Sequence, residues 1–225
     1  MGFFAKVGNI VWKDLVTEFR TKEMLSAMLI FSVLVIVIFA FAFTPTRDLT
    51  SKVFPGIIWV AFTFSGILGL NRSFLNEKQN ETLLGLMLAP VDRTAIYFGK
   101  VISNLAMMLI MEIISLPLFF VLFDYRFSGS LLQLLLVIFL GTLGFIAVGT
   151  FLAALAANTR TSEILLPIIL FPILVPVIIA AVESTGLILA GHAFADFSGW
   201  VKLIGVYDVV FLVVPFILFD YVLEV

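Results

Sequence analysis

The sequence is dominated by six long apolar segments. Each is close to the roughly 20 residues with which a helix crosses the ~30 Å hydrocarbon core of a bilayer. Transmembrane β-strands would instead alternate apolar and polar residues, and these segments do not. The sequence therefore predicts an all-α polytopic membrane protein, a single transmembrane domain over residues 1–225. Its spans are expected at about 24–43, 53–70, 101–123, 131–157, 164–182 and 203–223.

The composition excludes several other classes of protein. Hydrophobic residues make up 62% of the 225 residues and charged residues only 12%, which an ordinary soluble enzyme would not show. A net charge of −2 with 13 basic residues gives no footprint for nucleic acid. The absence of cysteine excludes disulfides, thiolate metal sites and cysteine nucleophiles.

The loop charges predict the orientation. If the N-terminus is inside, nine of the 13 Lys and Arg residues fall in cytoplasmic segments, and the exceptions are Arg47, Lys52, Arg126 and Lys202. Because cytoplasmic loops carry an excess of basic residues, both termini are expected in the cytoplasm.

Residues 1–23 form an amphipathic segment rather than a span. Apolar residues recur at helical spacing, and three basic residues lie seven apart on another side: Lys6, Lys13 and Arg20. We expect a helix in the headgroup layer with Trp12 near the interface, although a simple positively charged anchor would read similarly.

The segment 71–100 is polar in its first half and apolar in its second. Glu77 and Glu81 lie one turn apart, and one helical stripe contains Phe74, Lys78, Glu81, Leu84 and Leu88. Pro90 should end this helix, and Asp92 is expected to cap the next one. A charged helix with exposed apolar side chains suits docking to another protein, whereas the alternative is a solvated connector.

Four sequence blocks carry a family resemblance: Pro-Gly-Ile-Ile-Trp-Val-Ala at 55–61, Leu-Leu-Gly-Leu-Met-Leu-Ala-Pro at 83–90, Leu-Gly-Phe-Ile at 143–146, and the proline-rich fifth span. Together they resemble the haem exporter B family, the membrane permease subunits of the ABC transporters of cytochrome c maturation. The similarity extends over essentially the whole chain, and the six-span plan agrees.

The resemblance implies a type-2 ABC exporter fold with an N-terminal elbow helix and a coupling helix between spans two and three. The residues it assigns to coupling with an ABC ATPase subunit are Arg72, Phe74, Glu77, Lys78, Glu81, Leu84 and Leu88. It also implies a homodimer in the bacterial inner membrane, working with other cytochrome c maturation membrane subunits. Haem would be a transported or delivered ligand, and no cofactor is expected to be bound by the chain itself.

The chain lacks the residues for binding ATP through a P-loop. That motif needs Gly-x-x-x-x-Gly-Lys-Ser/Thr, but Gly99-Lys100 is followed by Val101, and Thr94 stands at the first glycine position. A non-catalytic subunit is therefore expected, with ATP used only by a partner.

Charged residues inside a membrane are candidates for function. Glu112 is expected either to line a transport path or dimer seam, or to form a hydrogen bond with Ser103, Asn104 or Ser115. Asp208 follows a tyrosine, as in intramembrane aspartyl proteases, but the second Gly-x-Gly-Asp carboxylate is missing.

His192 is the only histidine. It is a candidate haem ligand, although a lone interfacial histidine is the simpler interpretation. The His-Glu-x-x-His motif of zinc proteases is absent, and no metal site is predicted.

Two helical features suggest packing or movement. Gly149, Ala153 and Ala157 form a small-residue stripe that suits close helix packing, either in a dimer or within one subunit. Prolines in the fifth span interrupt its hydrogen bonding and suggest a moving wall of a pathway, against the alternative of a static kink: Pro167, Pro172 and Pro176.

Two other functions fit the residues. One is an ABC permease of the same architecture that exports a lipid-like or drug-like substrate. The other is an ion-coupled secondary transporter that uses Glu112 and Asp208, although no inverted repeat supports it.

Overall fold

The computed structural model describes residues 2–42, 47–79, 92–157 and 162–222. Within these ranges every regular element is an α-helix, and there are seven: α1 Phe3–Thr21, α2 Glu23–Ala42, α3 Arg47–Gln79, α4 Arg93–Leu122, α5 Leu131–Ala157, α6 Ser162–Leu189 and α7 Phe194–Val222. Helices α2 to α7 contain six stretches long and apolar enough to cross a membrane. The predicted all-α, six-span architecture is confirmed.

The first helix is separated from the first span by a sharp turn at Lys22. This residue has a left-handed backbone, with φ of 56°, and its N–H donates to the carbonyl of Glu18. Helix α1 is amphipathic, whereas α2 carries no charge after Glu23. The turn therefore separates the amphipathic helix α1, which has a polar and an apolar face, from helix α2, which is apolar on all faces.

Four helices extend beyond the spans expected from the sequence. Helix α3 begins at Arg47 and ends at Gln79, α4 begins at Arg93, α6 continues to Leu189, and α7 begins at Phe194. The start of α4 agrees with the expected cap at Asp92. Two polar residues in these extensions have partners on other helices: the Lys100 ammonium pairs with an acidic residue, and the Thr185 hydroxyl accepts from an indole. Within residues 184–200, α6 runs to Leu189 and α7 begins at Phe194, with a break at residues 190–193 between them.

Helices α3 and α5 form the centre of the bundle. Helix α3 packs on α2, α4, α5 and α6, and α5 packs on α3, α4, α6 and α7. Glycines allow two of these contacts: Trp59 of α3 lies over Gly141, and Leu70 lies over Gly149, where a Cβ atom would collide with each side chain. The predicted small-residue stripe is thus used inside the subunit at Gly149.

The loop after α4 joins the N-terminal part of α3 to the C-terminal end of α6. The ring of Tyr125 stacks on buried Phe54 with centroids 4.5 Å apart. Ser128 donates a hydrogen bond of 3.0 Å to the carbonyl of Leu189, and Gly129 lies against the carbonyl of Ile188. The N-terminal part of α3 and the C-terminal end of α6 are therefore held by the same loop.

Candidate functional site

The apolar side of α1 packs against the start of α4. Val7 and Ile10 are buried, and Ile10 lies against Gly99, where a Cβ would come within 2.7 Å of its side chain. The rings of Phe3 and Phe98 meet edge to face at 6.4 Å. Residues further along α1 meet residues further along α4, so the two helices run side by side in the same direction. The amphipathic segment thus buries part of its apolar side on protein.

A charged cluster lies within this contact. The Lys100 ammonium is 2.9 Å from Asp14 Oδ2, and Lys13 is 3.0 Å from Asp14 Oδ1. The Ser103 hydroxyl donates to the same carboxylate at 3.0 Å. Burial disfavours the charged carboxylate, but the charges and hydrogen bonds of Lys100 and Lys13 outweigh it, so the pKa of Asp14 lies below its usual value.

A second ion pair lies nearer the start of α4. Lys6 Nζ is 3.0 Å from Asp92 Oδ2 on an exposed surface. Asp92 occupies the capping position, as predicted, but its side chain forms no capping hydrogen bond. The hydrogen bond and charge of Lys6 lower the pKa of Asp92 instead.

The residues expected to couple to an ATPase are only partly described. Four fall in the last turns of α3: Arg72, Phe74, Glu77 and Lys78. Arg72 is exposed there. The other three lie outside the described residues: Glu81, Leu84 and Leu88.

The N-terminal end of α2 also meets α1, through Glu18. This carboxylate accepts a 2.8 Å hydrogen bond from the N–H of Leu25. Burial raises the pKa of Glu18, and the Leu25 hydrogen bond and the Arg72 charge oppose that rise. Helix α1 therefore contacts two helices, α2 and α4, at one end of the bundle.

Glu112 bonds a neighbouring helix. It is 1% exposed, and the Thr142 hydroxyl of α5 donates to its Oε1 at 2.7 Å, while its Oε2 has no partner in the described part of the chain. An interhelical hydrogen bond was one expected role, but the expected partners lie elsewhere: Ser103 bonds Asp14, Asn104 bonds Thr150, and Ser115 bonds within α4.

Asp208 is buried against another side of α5. It is 4% exposed, and a Cβ at Gly144 would collide with its Oδ1; neither of its oxygens has a hydrogen-bond partner among the described residues. Thr142 and Gly144 are two residues apart on a helix and point roughly 200° apart. Asp208 and Glu112 therefore lie on opposite sides of α5, which does not suit a shared two-carboxylate site.

The three prolines lie within one continuous helix, α6. Pro172 and Pro176 are on its exposed face, and Pro167 is half-buried. Between them, the Tyr207 hydroxyl of α7 donates to the carbonyl of Ile173 at 3.1 Å. The faces of Pro172 and Pro176 thus point out of this subunit, while α7 is bonded to the helix backbone at Ile173, between them.

In the break between α6 and α7, His192 interacts with an acidic residue one turn away. Its Nδ1 is 3.4 Å from Asp196 Oδ2, and both side chains are about half exposed, at 51% and 53%. Among residues 2–42, 47–79, 92–157 and 162–222, no cluster of three His, Cys, Asp or Glu side chains could hold a metal. His192 therefore lies at the surface beside a carboxylate, and its role as a haem ligand stays a prediction from the sequence.

Sequence reasoning missed two interhelical links. Asp14 and Lys100 are 86 positions apart, and each belongs to a segment interpreted by itself. Trp59 Nε1 donates to Thr185 Oγ1 at 3.0 Å across 126 positions. The signal for the first link was available, since a lysine at the edge of an apolar run needs a counter-charge.

Comparisons with known proteins agree with one another. A family model described as CcmB protein matches residues 5–222. A protein of Rhodobacter capsulatus named "Heme exporter protein B" is 27% identical over 155 residues, 69% of this chain and 71% of that protein. The Haemophilus influenzae protein of the same name is 29% identical over 184 residues, 80% and 82% of the two chains. The Escherichia coli K12 protein of that name is 34% identical over 91 residues, 40% and 41% of the two.

Proposed function

Because the chain belongs to the CcmB protein family, we propose that it is the membrane permease of an ABC transporter that acts in haem export for c-type cytochrome biogenesis. The observation that carries this function is the extent of the family match, which covers residues 5–222 of the 225. Six helices suited to spanning a membrane fit a permease.

The energy for this function comes from a separate ATPase subunit. The only Gly-Lys pair of the chain lies in α4, is followed by valine, and has Thr94 where a P-loop begins with glycine. Gly99 of that pair is in contact with Ile10, and Lys100 is paired with Asp14. Neither residue is arranged to hold phosphate, which supports the proposal that ATP is used by the partner and not through a P-loop of this chain.

The ATPase docks on the segment 71–100. Its acidic and basic residues provide a charged surface, and its apolar residues Leu84 and Leu88 provide side chains that fit a groove. Arg72, Phe74, Glu77 and Lys78 lead into this surface at the end of α3. Glu81 lies on the same predicted stripe.

The assembly is a homodimer in the bacterial inner membrane with both termini in the cytoplasm. Positive charges favour this orientation, because nine of 13 lie on the side of the termini and of the segment 71–100. The exposed proline face of α6 supports a second copy or another cytochrome c maturation subunit there, since Pro172 and Pro176 each leave a carbonyl without its helical donor, which is costly against lipid.

Co-purification tests the ATPase assignment. Tagged chain expressed with its candidate ATPase should retain the ATPase, and Leu84→Asp or Leu88→Asp should remove most of it. Gln79→Glu is the matched control, because it adds a negative charge to the same segment without removing an apolar side chain. Retention of the ATPase by both aspartate variants would contradict the docking assignment.

A transport assay separates this function from ion coupling. Holocytochrome c formation in cells, or haem efflux from vesicles, should require nucleotide in the ATPase compartment and should fail with an ATPase that cannot hydrolyse it. Transport that persists without nucleotide and follows a proton or sodium gradient would instead support a role for Glu112 and Asp208 in ion coupling.

A further inference from the structure

Helix α1 is tied to the point at which the segment proposed to meet the ATPase returns to the bundle. At the start of α4, Lys6 of α1 forms a 3.0 Å ion pair with Asp92. Further along, α1 packs closely against the first turns of α4, where Ile10 lies on Gly99.

A second ion pair between α1 and α4 differs from that of Lys6 and Asp92 because it is buried. The Lys100 side chain is 4% exposed and that of Asp14 is 16% exposed, whereas the Asp92 side chain is 63% exposed. Exposed pairs are screened by water and salt and hold geometry weakly. The buried pair is further fixed by the Ser103 hydroxyl, which donates to the same carboxylate at 3.0 Å.

Stability alone is a weak reason for such a pair. Taking two charges out of water costs free energy that their attraction often only offsets, and apolar replacements of similar size are frequently as stable. The adjacent contact of Ile10 with Gly99 already packs the two helices together. What the pair adds is a fixed register and direction between α1 and α4.

We propose that Asp14 and Lys100 are a positioning pair, which makes α1 and the first turns of α4 move as one body when the segment between α3 and α4 is displaced. This inference rests on the proposed function, because the displacement comes from the ATPase. With the pair intact, displacement of the segment moves α1, α3 and α4 together and so moves the spans. Without the pair, part of that displacement only shifts α1 relative to α4.

The first test measures the tie directly and needs no ATPase. The chain has no native cysteine, so spin labels can be placed at Gly8→Cys on α1 and Val121→Cys on α4. A Cβ at Gly8 meets nothing within 4 Å, and Val121 is 75% exposed. The two labels should be about 35–40 Å apart, because about 25 residues of α4, at 1.5 Å each, separate Val121 from the part of α4 beside Gly8. Double electron–electron resonance on the purified chain in detergent should give a narrow distribution of this distance.

Substitutions of the pair should broaden that distribution. Asp14→Asn and Lys100→Met should each widen the distance distribution at least about twofold, because α1 and α4 would then occupy several relative arrangements instead of one. Lys100→Arg should keep it narrow, because the charge pair remains. Lys13→Met is the matched control, since Lys13 contacts the same carboxylate from a more exposed position.

The second test separates positioning from stability. In the complex, each single variant should retain the ATPase and its hydrolysis rate, while holocytochrome formed per ATP falls at least about fivefold, the low end of ordinary coupling between sites. The double variant D14N/K100M leaves no unpaired buried charge, so its melting temperature should return towards that of the wild type. Its output per ATP should stay low.

Three results would overturn the proposal. One is an unchanged distance distribution in both single variants. Another is normal output per ATP when the distribution is broadened. The third is recovery of output together with stability in the double variant, because the pair would then act only on folding. A wild-type chain that binds no ATPase would refute the proposed function, and the spin-label result would still report on the tie.

Discussion

Replacing Thr185 by valine should destabilise the bundle even though the side chains have nearly the same shape. The Trp59 indole N–H donates to the Thr185 hydroxyl at 3.0 Å, and this bond joins α3 to α6. Both side chains are buried, at 3% and 0% exposure. Valine removes the acceptor and leaves the indole N–H in a place where water cannot reach it.

The size of the effect follows from that burial. An unsatisfied buried donor costs about 1–3 kcal/mol in proteins generally. In membrane proteins, interhelical hydrogen bonds average about 0.6 kcal/mol and reach about 1.7, because the unfolded chain also finds partners. We therefore expect a loss of about 1–2 kcal/mol, or about 2–8 °C in melting temperature at this chain length.

Thermal unfolding in detergent, followed by circular dichroism, measures this loss. Ser184→Ala is the matched control, because Ser184 is the neighbouring residue, is equally buried and has no hydrogen-bond partner in the described part of the chain. Its melting temperature should stay level or rise. The reasoning would be refuted if Thr185→Val had no effect, or if Ser184→Ala cost as much.

Two further substitutions and one pH dependence follow from the packing. Gly149→Leu should collide with Leu70 and cost about 1–3 kcal/mol as overpacking does, seen as a lower melting temperature; a change confined to the dimer fraction would contradict packing within the subunit. Gly129→Ala should push its loop away from the carbonyl of Ile188, and faster proteolysis of that loop would report it, whereas unchanged proteolysis would contradict the contact. The pKa of Asp14 is lowered from 3.8 in the folded state, so its contribution to the free energy of unfolding is present above pH 3.8 and is lost as the pH falls below that value. The melting temperature of Asp14→Asn should therefore vary less over that acidic range than the melting temperature of the wild type. An equal acid response in the two proteins would contradict this.

The architecture was predictable because each span is determined by its own residues. An uncharged run of about 20 apolar residues has few alternatives to a membrane helix, whatever its neighbours are. Helix α1 was equally predictable from its periodic apolar residues, of which Val7 and Ile10 are buried. Periodicity could not predict which helix these residues pack against, because α4 begins only at Arg93, far along the sequence.

The sequence predicted that certain buried polar side chains need partners, but it did not predict which residues those partners are. Glu112 required a partner, but near neighbours on its own helix were considered, whereas the donor is Thr142, 30 positions away. Lys100 was excluded from a span because of its charge, although Asp14 compensates that charge. Side-chain neighbours within one helix follow from 3.6 residues per turn, but neighbours across helices follow from tertiary packing, which one sequence does not encode in any local pattern.

The account depends on which side of the membrane the segment 71–100 occupies. A cysteine at Gln79, in a chain with no other cysteine, can be tested with a membrane-impermeant thiol reagent. A cysteine at exposed Arg126 in the loop after α4 is the control for the opposite side. We predict that the reagent labels position 79 only in inside-out vesicles and position 126 only in intact spheroplasts. Labelling of position 79 in intact spheroplasts would contradict the account, because a cytoplasmic ATPase could not reach the segment.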